Sequence, residues 1–321
     1  MTSTTVEAVR LTKNYGGRSA VEDVSFSASK GEIVGLLGPN GAGKTTTIRL
    51  LTTVLEPTSG EFSIAGHPST SSTEIRRSVG VLPESSGYPN HQTGAEYLRF
   101  YARLYGLSRS QARGLSTEML GAVGLEDRGD SRISTYSRGM RQRLGIARAM
   151  INDPVVVFLD EPTLGLDPAG QAQVLDIIRS IAKARDATVV LSTHLLPEVE
   201  VVCSKVVILN RGKVLVSGSV GEVIKTALIE QSAQLRIPLE LVERARNVLA
   251  GFPGLSIDQS PEQPEVLILA VDRPGSDSAH GQVMNEVLAA VTAAGIPVLR
   301  FELEGARLSD AFLKMTNRGG V

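Results

Sequence analysis

Apolar positions along the chain follow two periods. Unbroken runs at 33–37, 79–82, 155–159 and 187–191 have the length and β-branched content of buried strands. Val24, Phe26 and Ala28 alternate with Ser25, Ser27 and Ser29, the pattern of a half-buried strand, which the turn at Lys30-Gly31 ends. Between these runs the period becomes helical. Residues 44–55 are helix-compatible. Thr93 and Glu96 form a capping-box pattern ahead of Leu98, Tyr101, Leu104 and Tyr105 on one face, and Ser108 with Gln111 repeats the signal. Val174, Ile177, Ile178 and Ile181 make a further stripe after the turn at 164–168. Strands alternating with helices place the chain in the α/β class, with a helix-rich insertion over about residues 90–152.

The pattern changes again near residue 225. Strand 233–237, helix 239–250, strands 255–259 and 266–271, helix 282–294 and strand 298–302 follow in the order of a ferredoxin-like split βαβ unit, with an amphipathic helix over 308–315. The expected division is 1–224 and 225–321. The second unit holds no cluster able to do chemistry, so regulation, dimerisation or a stabilising role is expected of it.

Composition narrows the classes. The 321 residues have material for about two domains, and 33 basic against 34 acidic residues give no reason to expect a nucleic-acid groove, a local basic patch on one face aside. Aromatics at 4% without tryptophan leave no base-stacking platform. Cys203, the only cysteine, excludes an intrachain disulfide and a cysteine zinc cluster, and fits a reducing compartment. Residues 1–10 lack a secretory-signal pattern, and no apolar run is long enough to span a bilayer, so a membrane role requires another chain.

The chemistry concentrates in Gly38-Pro39-Asn40-Gly41-Ala42-Gly43-Lys44-Thr45-Thr46, which matches G-x-x-x-x-G-K-[ST] between a strand and a helix. Glycines let successive amides turn toward phosphate oxygens, the helix start adds its positive dipole end, and Lys44 reaches the β- and γ-phosphates. Thr45 offers a hydroxyl to Mg²⁺. Asp160-Glu161, closing the apolar run, divide the work beside such a loop: Asp160 fixes Mg²⁺ through water, and Glu161 orients or deprotonates the attacking water. His194 follows the next strand, where an imidazole can hydrogen-bond a γ-phosphate. Ser137 is a good N-cap for a basic helix whose start, with the Gly139 amide, forms a second anion-binding terminus. Tyr15, in the turn 13–17, is either a packing residue or a stacking platform for adenine. His67, His91 and His280 have no ligand partners at useful spacing and are expected at the surface.

With these motifs in this order, residues 6–219 resemble the ATP-binding subunits of ABC transporters. Residues 38–45 correspond to the Walker A loop, 156–160 to Walker B, Glu161 to the catalytic glutamate, 165–167 to the D-loop and His194 to the switch histidine. The resemblance makes Tyr15 the adenine-stacking aromatic. Glu84 stands where the family usually has glutamine, and Tyr136-Ser137-Arg138-Gly139-Met140 replaces the usual Leu-Ser-Gly-Gly-Gln signature. Both variants look like those of bacterial drug-resistance and sodium-efflux exporters. A carboxylate at Glu84 remains a suitable Mg²⁺ ligand. The resemblance implies ATP and Mg²⁺ as cofactors, a homodimer with ATP between Walker A of one copy and Ser137-Gly139 of the other, and a separate polytopic permease. It places the chain on the cytoplasmic face of a bacterial plasma membrane, with Tyr88-Pro89 exposed beside Glu84 to pass motion on. The rivals are an importer subunit and a soluble cassette ATPase acting on ribosomes or DNA. Against the latter stand a single phosphate loop and the absence of sustained heptads between Lys44 and Asp160.

Overall fold

Two twelve-residue strands, β1 (Thr4–Tyr15) and β2 (Arg18–Ser29), pair antiparallel around Gly16-Gly17, whose positive φ angles suit the tight turn. β3 (Ile33–Leu37), buried throughout, leads to α1 (Lys44–Leu51), followed by β4 (Ser59–Ile64), β5 (His67–Pro68), α2 (Ser72–Ser78) and β6 (Val79–Leu82). The insertion contributes α3 (Gly94–Leu104), α4 (Arg109–Ala122) and α5 (Arg138–Ala149). After it come β7 (Val156–Asp160), α6 (Pro168–Arg185), β8 (Thr188–Thr193), α7 (Leu196–Val202), the hairpin of β9 (Lys205–Asn210) and β10 (Lys213–Ser219), and α8 (Val220–Ala227). This is a computed structural model, which describes residues 3–227, 232–271 and 277–304 together with 308 and 312.

β2-β1-β4-β5 form an antiparallel sheet, and β10-β9-β3-β8-β7-β6 a second one that is parallel apart from the β9–β10 hairpin. One core joins them: Val6, Leu11 and Phe26 of the first sheet, Ile48, Leu50 and Leu51 of α1, and Leu36, Phe158 and Val207 of the second. Apolar burial on both faces is why the central strands read as continuous runs. That rigid layer fixes the C-terminal ends of β3, β7 and β8, where the candidate chemistry lies.

Both expected capping boxes are present: Thr93 with Glu96, and Ser108 with Gln111. Several expectations shift. α1 ends at Leu51 rather than 55, because Thr53 turns left-handed (φ 57°) and the amides of Val54 and Leu55 fold back onto the Arg49 carbonyl. α3 buries Tyr97, Leu98 and Ala102, while Leu104 and Tyr105 are exposed. Leu104 lies roughly 120° round the helix from Leu98, and Tyr105 caps the helix rather than facing a neighbour. In α6, Leu175 and Ala182 join Val174 and Ile178 in the core, leaving Ile177 and Ile181 half-buried. Cys203 caps α7 instead of lying within it. The run at 155–159 moves by one residue, since Val155 is exposed and Asp160 completes β7. β8 extends two residues past 191, taking in Ser192 and Thr193.

The chain divides into compact units at Val220/Gly221. In the second, β11 (Ser232–Arg236), α9 (Val242–Leu249), β12 (Leu255–Gln259), β13 (Val266–Val271), α10 (Asp277–Ala293) and β14 (Arg300–Glu304) follow in turn. The sheet is antiparallel in the order β12-β13-β11-β14, which is the split βαβ order. Leu235, Leu267 and Leu269 meet Ala245, Leu249, Val287 and Val291 in its core. Of the helix expected over 308–315, only 308 and 312 lie within the described residues.

Candidate active site

The phosphate loop is held from below by contacts that admit no side chain. A Cβ on Gly38 would lie 2.3 Å from the Leu209 carbonyl, and one on Gly43, at φ +102°, 2.7 Å from the Ala20 carbonyl. Gly43 precedes α1 and no side chain caps that helix, so its first-turn amides are open to an anion. Lys44 is 6% exposed, and its Nζ donates to the carbonyls of Gly38 (2.7 Å) and Pro39 (3.3 Å).

The two acids at the end of β7 have different surroundings. Asp160, 2% exposed, accepts at Oδ1 from the hydroxyls of Thr45 (3.1 Å) and Ser192 (2.5 Å). Glu161 reaches Lys44 Nζ with Oε1 (3.3 Å) and His194 Nδ1 with Oε2 (2.9 Å). Its backbone sits at φ 49°, a sparsely populated conformation that surrounding structure must enforce. The Glu161 amide donates to both the carbonyl and the hydroxyl of Ser192, at 3.1 and 3.0 Å.

A cleft of about 620 Å³ brings together Tyr15, Asn40, Gly41, Ala42, Gly43, Lys44, Thr45, Thr46, Glu84, Glu161 and His194. Tyr15, at the end of β1 rather than inside a turn, is 47% exposed, with Lys13 Nζ 5.5 Å from its ring centre. Gly38 and Pro39 shape the loop without lining the cleft, and Asp160 lies behind Thr45. Ser137 and Gly139 also fall outside its lining. Ser137 does cap α5, accepting the Met140 amide at 3.2 Å, and remains exposed. Beside it, a Cβ on Gly165 would meet the Arg138 guanidinium at 2.5 Å, so the exposed Arg138 lies against Gly165.

Tyr88 departs from expectation. It is half-buried, donates its hydroxyl to the Arg141 carbonyl (2.8 Å) and packs 5.7 Å from the Tyr97 ring. Burial pushes both phenols above their ordinary value, which keeps the Tyr88 hydroxyl a donor. It therefore anchors the Glu84 loop to α5. Arg148 of α5 adds a bond to the Val81 carbonyl (2.5 Å).

Arg18, Ser19, Ala20 and Leu164 also line the cleft and carried no motif signal; the pairing of Arg18 with Tyr15 across the first hairpin brings it there. Ser192 was missed because a strand ending at 191 hides its pairing with Asp160. The Thr45 hydroxyl and the Asp160 and Glu84 carboxylates are hard oxygen donors that suit Mg²⁺. Among the described residues no three His, Cys, Asp or Glu could hold a metal by themselves.

A phosphate loop after β3, with carboxylates after β7 and β8 between them in one sheet, is the layout of a P-loop nucleotide hydrolase. Sequence comparison narrows that class. Residues 21–164 match the family model described as ABC transporter. The daunorubicin/doxorubicin resistance ATP-binding protein DrrA of Streptomyces peucetius is 34% identical over 97% of this chain and 92% of its own. The bacitracin transport ATP-binding protein BcrA of Bacillus licheniformis is 32% identical over 99% of each. A solved ATP-binding subunit of an ABC transporter is 34% identical, covering 69% of this chain and 92% of that one with a TM-score of 0.62. The chain belongs to the ATP-binding subunits of ABC transporters and is an ATPase.

Proposed function

We propose that this ATPase drives export through a separate membrane-spanning subunit, with two copies of the chain closing over two ATP molecules. One observation carries the dimer: Ser137 and Gly139 lie outside the cleft that Lys44, Glu161 and His194 line. On this reading each copy carries two half-sites, and a partner's exposed α5 start would cover this copy's phosphate loop. ATP bridging the copies favours the closed pair, and only that difference in affinity can do conformational work.

Within one half-site, Tyr15 stacks on adenine while the loop amides and Lys44 hold the phosphates. Glu161 orients the attacking water and accepts its proton. His194, its Nδ1 donating to the Glu161 carboxylate, would turn its other ring nitrogen to the γ-phosphate, and donates there only when the ring carries both protons. Thr45, Asp160 and Glu84 would hold Mg²⁺, which neutralises charge developing on the phosphates.

Export rather than import is supported by near full-length similarity to resistance and transport subunits such as DrrA and BcrA. No described helix is long and apolar enough to cross a membrane; on this reading the chain works beside its permease, at the cytoplasmic face. Its permease docks at a groove of about 360 Å³ that Val54, Arg76, Tyr101, Tyr105 and Arg148 line, with Phe100 and Leu104 exposed on the same insertion. The unit after about 225 is an accessory to regulation or dimerisation. Two measurements test this reading. Specific ATPase activity should rise with protein concentration, and the chain should co-purify from membranes with a polytopic protein. A concentration-independent rate from a strictly monomeric chain would remove the dimer, and ribosomal proteins as sole partners would remove the transporter.

A further inference from the structure

Glu161 and Asp160 are adjacent, yet their precise setting depends on a residue thirty-odd positions away. Ser192 is fully buried, and it ends up opposite Asp160 in the β7–β8 register. Its hydroxyl donates to Asp160 Oδ1 at 2.5 Å while accepting the Glu161 amide at 3.0 Å, and its carbonyl accepts that amide at 3.1 Å. Thr45 donates to the same Asp160 oxygen at 3.1 Å, leaving Oδ2 free of both bonds. Two residues on, His194 meets Glu161 at 2.9 Å.

We infer that Ser192 is a positioning residue for both acids: it orients the Asp160 carboxylate toward the metal and pins the left-handed backbone that aims Glu161 at the water. A carboxylate with one oxygen held by two hydroxyls is restrained from rotating, so its other oxygen would be presented to a metal in a fixed orientation. A glutamate at φ 49° relaxes toward ordinary backbone angles unless its amide is tied down, and Ser192 ties it with two oxygens. A small strand residue without a hydroxyl would fill the same space and supply neither the Asp160 bond nor the second amide bond. The acid assigned to the water and the acid assigned to the metal are thereby tied together through one side chain.

The inference rests on the reading that ATP is hydrolysed with Mg²⁺ in this cleft, and the test separates the two. Ser192→Ala removes only the hydroxyl. Mn²⁺ titration of the ATP-bound protein, followed by electron paramagnetic resonance, should show metal affinity about 10- to 100-fold weaker than wild type, the usual effect of losing a bond behind a metal ligand. At saturating Mg²⁺, kcat should remain about tenfold low, while the KM for ATP and the affinity for ATP in EDTA stay within about twofold. Ser192→Cys, close in volume and a poor donor, should fall between, and serves if the alanine variant does not fold. Wild-type metal affinity or wild-type kcat in the folded alanine variant overturns the inference. So does an equal loss of metal-free ATP affinity, which would make Ser192 merely structural. If the wild-type protein itself neither binds Mn²⁺ with ATP nor needs Mg²⁺ for turnover, the reading of the cleft fails first.

Discussion

Replacing Glu161 with glutamine should separate binding from turnover. Glu161 is 8% exposed and stands between Lys44 Nζ, at 3.3 Å, and His194 Nδ1, at 2.9 Å. Glutamine keeps the shape and one acceptor oxygen but cannot take a proton. Stranding one charge of a buried pair ordinarily costs about 3–5 kcal/mol. Here Lys44 retains the carbonyls of Gly38 at 2.7 Å and Pro39 at 3.3 Å, so most of that cost is avoided. A residual loss of about 1 kcal/mol would move Tm by only about 2–4 °C in a chain of this size class. The catalytic loss is larger. A positioned base contributes about 10²- to 10⁴-fold, which is about 2.7–5.4 kcal/mol of barrier at 1.36 kcal/mol per tenfold. Single-turnover release of labelled phosphate, run beside gel filtration with Mg²⁺ and ATP, reads both effects. Phosphate release should fall by at least about 100-fold while an ATP-bound dimer accumulates. Turnover within about tenfold of wild type would refute the assignment of Glu161, and a Tm drop above about 10 °C would refute the argument that Lys44 has sufficient other acceptors.

Lys44→Ala should weaken ATP binding by about 10- to 100-fold, the loss of charge-assisted bonds to phosphate, and unchanged affinity by calorimetry would count against the loop's role. Ser137→Arg puts bulk and charge on an exposed helix start outside the cleft, so monomer ATP affinity should hold while ATP-dependent dimerisation by light scattering disappears. Persistent dimers would sink the contact in trans. Cys203 supplies a test of burial: desolvation pushes its thiol from 9.0 to about 12, with Glu198 adding to the rise. The folded value exceeds the unfolded one, so alkali deprotonates the unfolded chain first. The Cys203 contribution to stability is therefore full below about pH 8, is lost as pH rises from about 9 to 12, and falls by up to about 1.4 kcal/mol per unit. Urea unfolding at pH 8 and pH 10 should show a smaller decline in Cys203→Ala than in wild type; equal declines would contradict it.

Local chemistry was legible wherever a motif keeps its meaning along a continuous stretch. Residues 38–46 carry their motif in their own glycines and lysine, and the expected strand and helix flank them. Capping boxes at Thr93 and Ser108 are equally local. Element ends and buried faces were less legible. Leu104 and Tyr105 fit a helical period, but whether a face is covered depends on what packs against it. Tyr88 beside Pro89 read as an exposed loop tip until α5 gave its hydroxyl a carbonyl partner.

The amino-acid order alone determined that this chain handles nucleotide: charge, glycine spacing, paired acids after an apolar run and a histidine after the next specify that chemistry without reference to distance. Only the tertiary structure decided which of those groups meet. Parallel pairing of β7 and β8 sets Asp160 against Ser192 and brings His194 to Glu161, contacts between residues more than thirty positions apart. Folding also left Ser137 and Gly139 off the cleft that Lys44, Glu161 and His194 line. The reason is physical: backbone propensity and side-chain period act within a few residues, whereas strand register is settled by burying both faces of the central sheet at once.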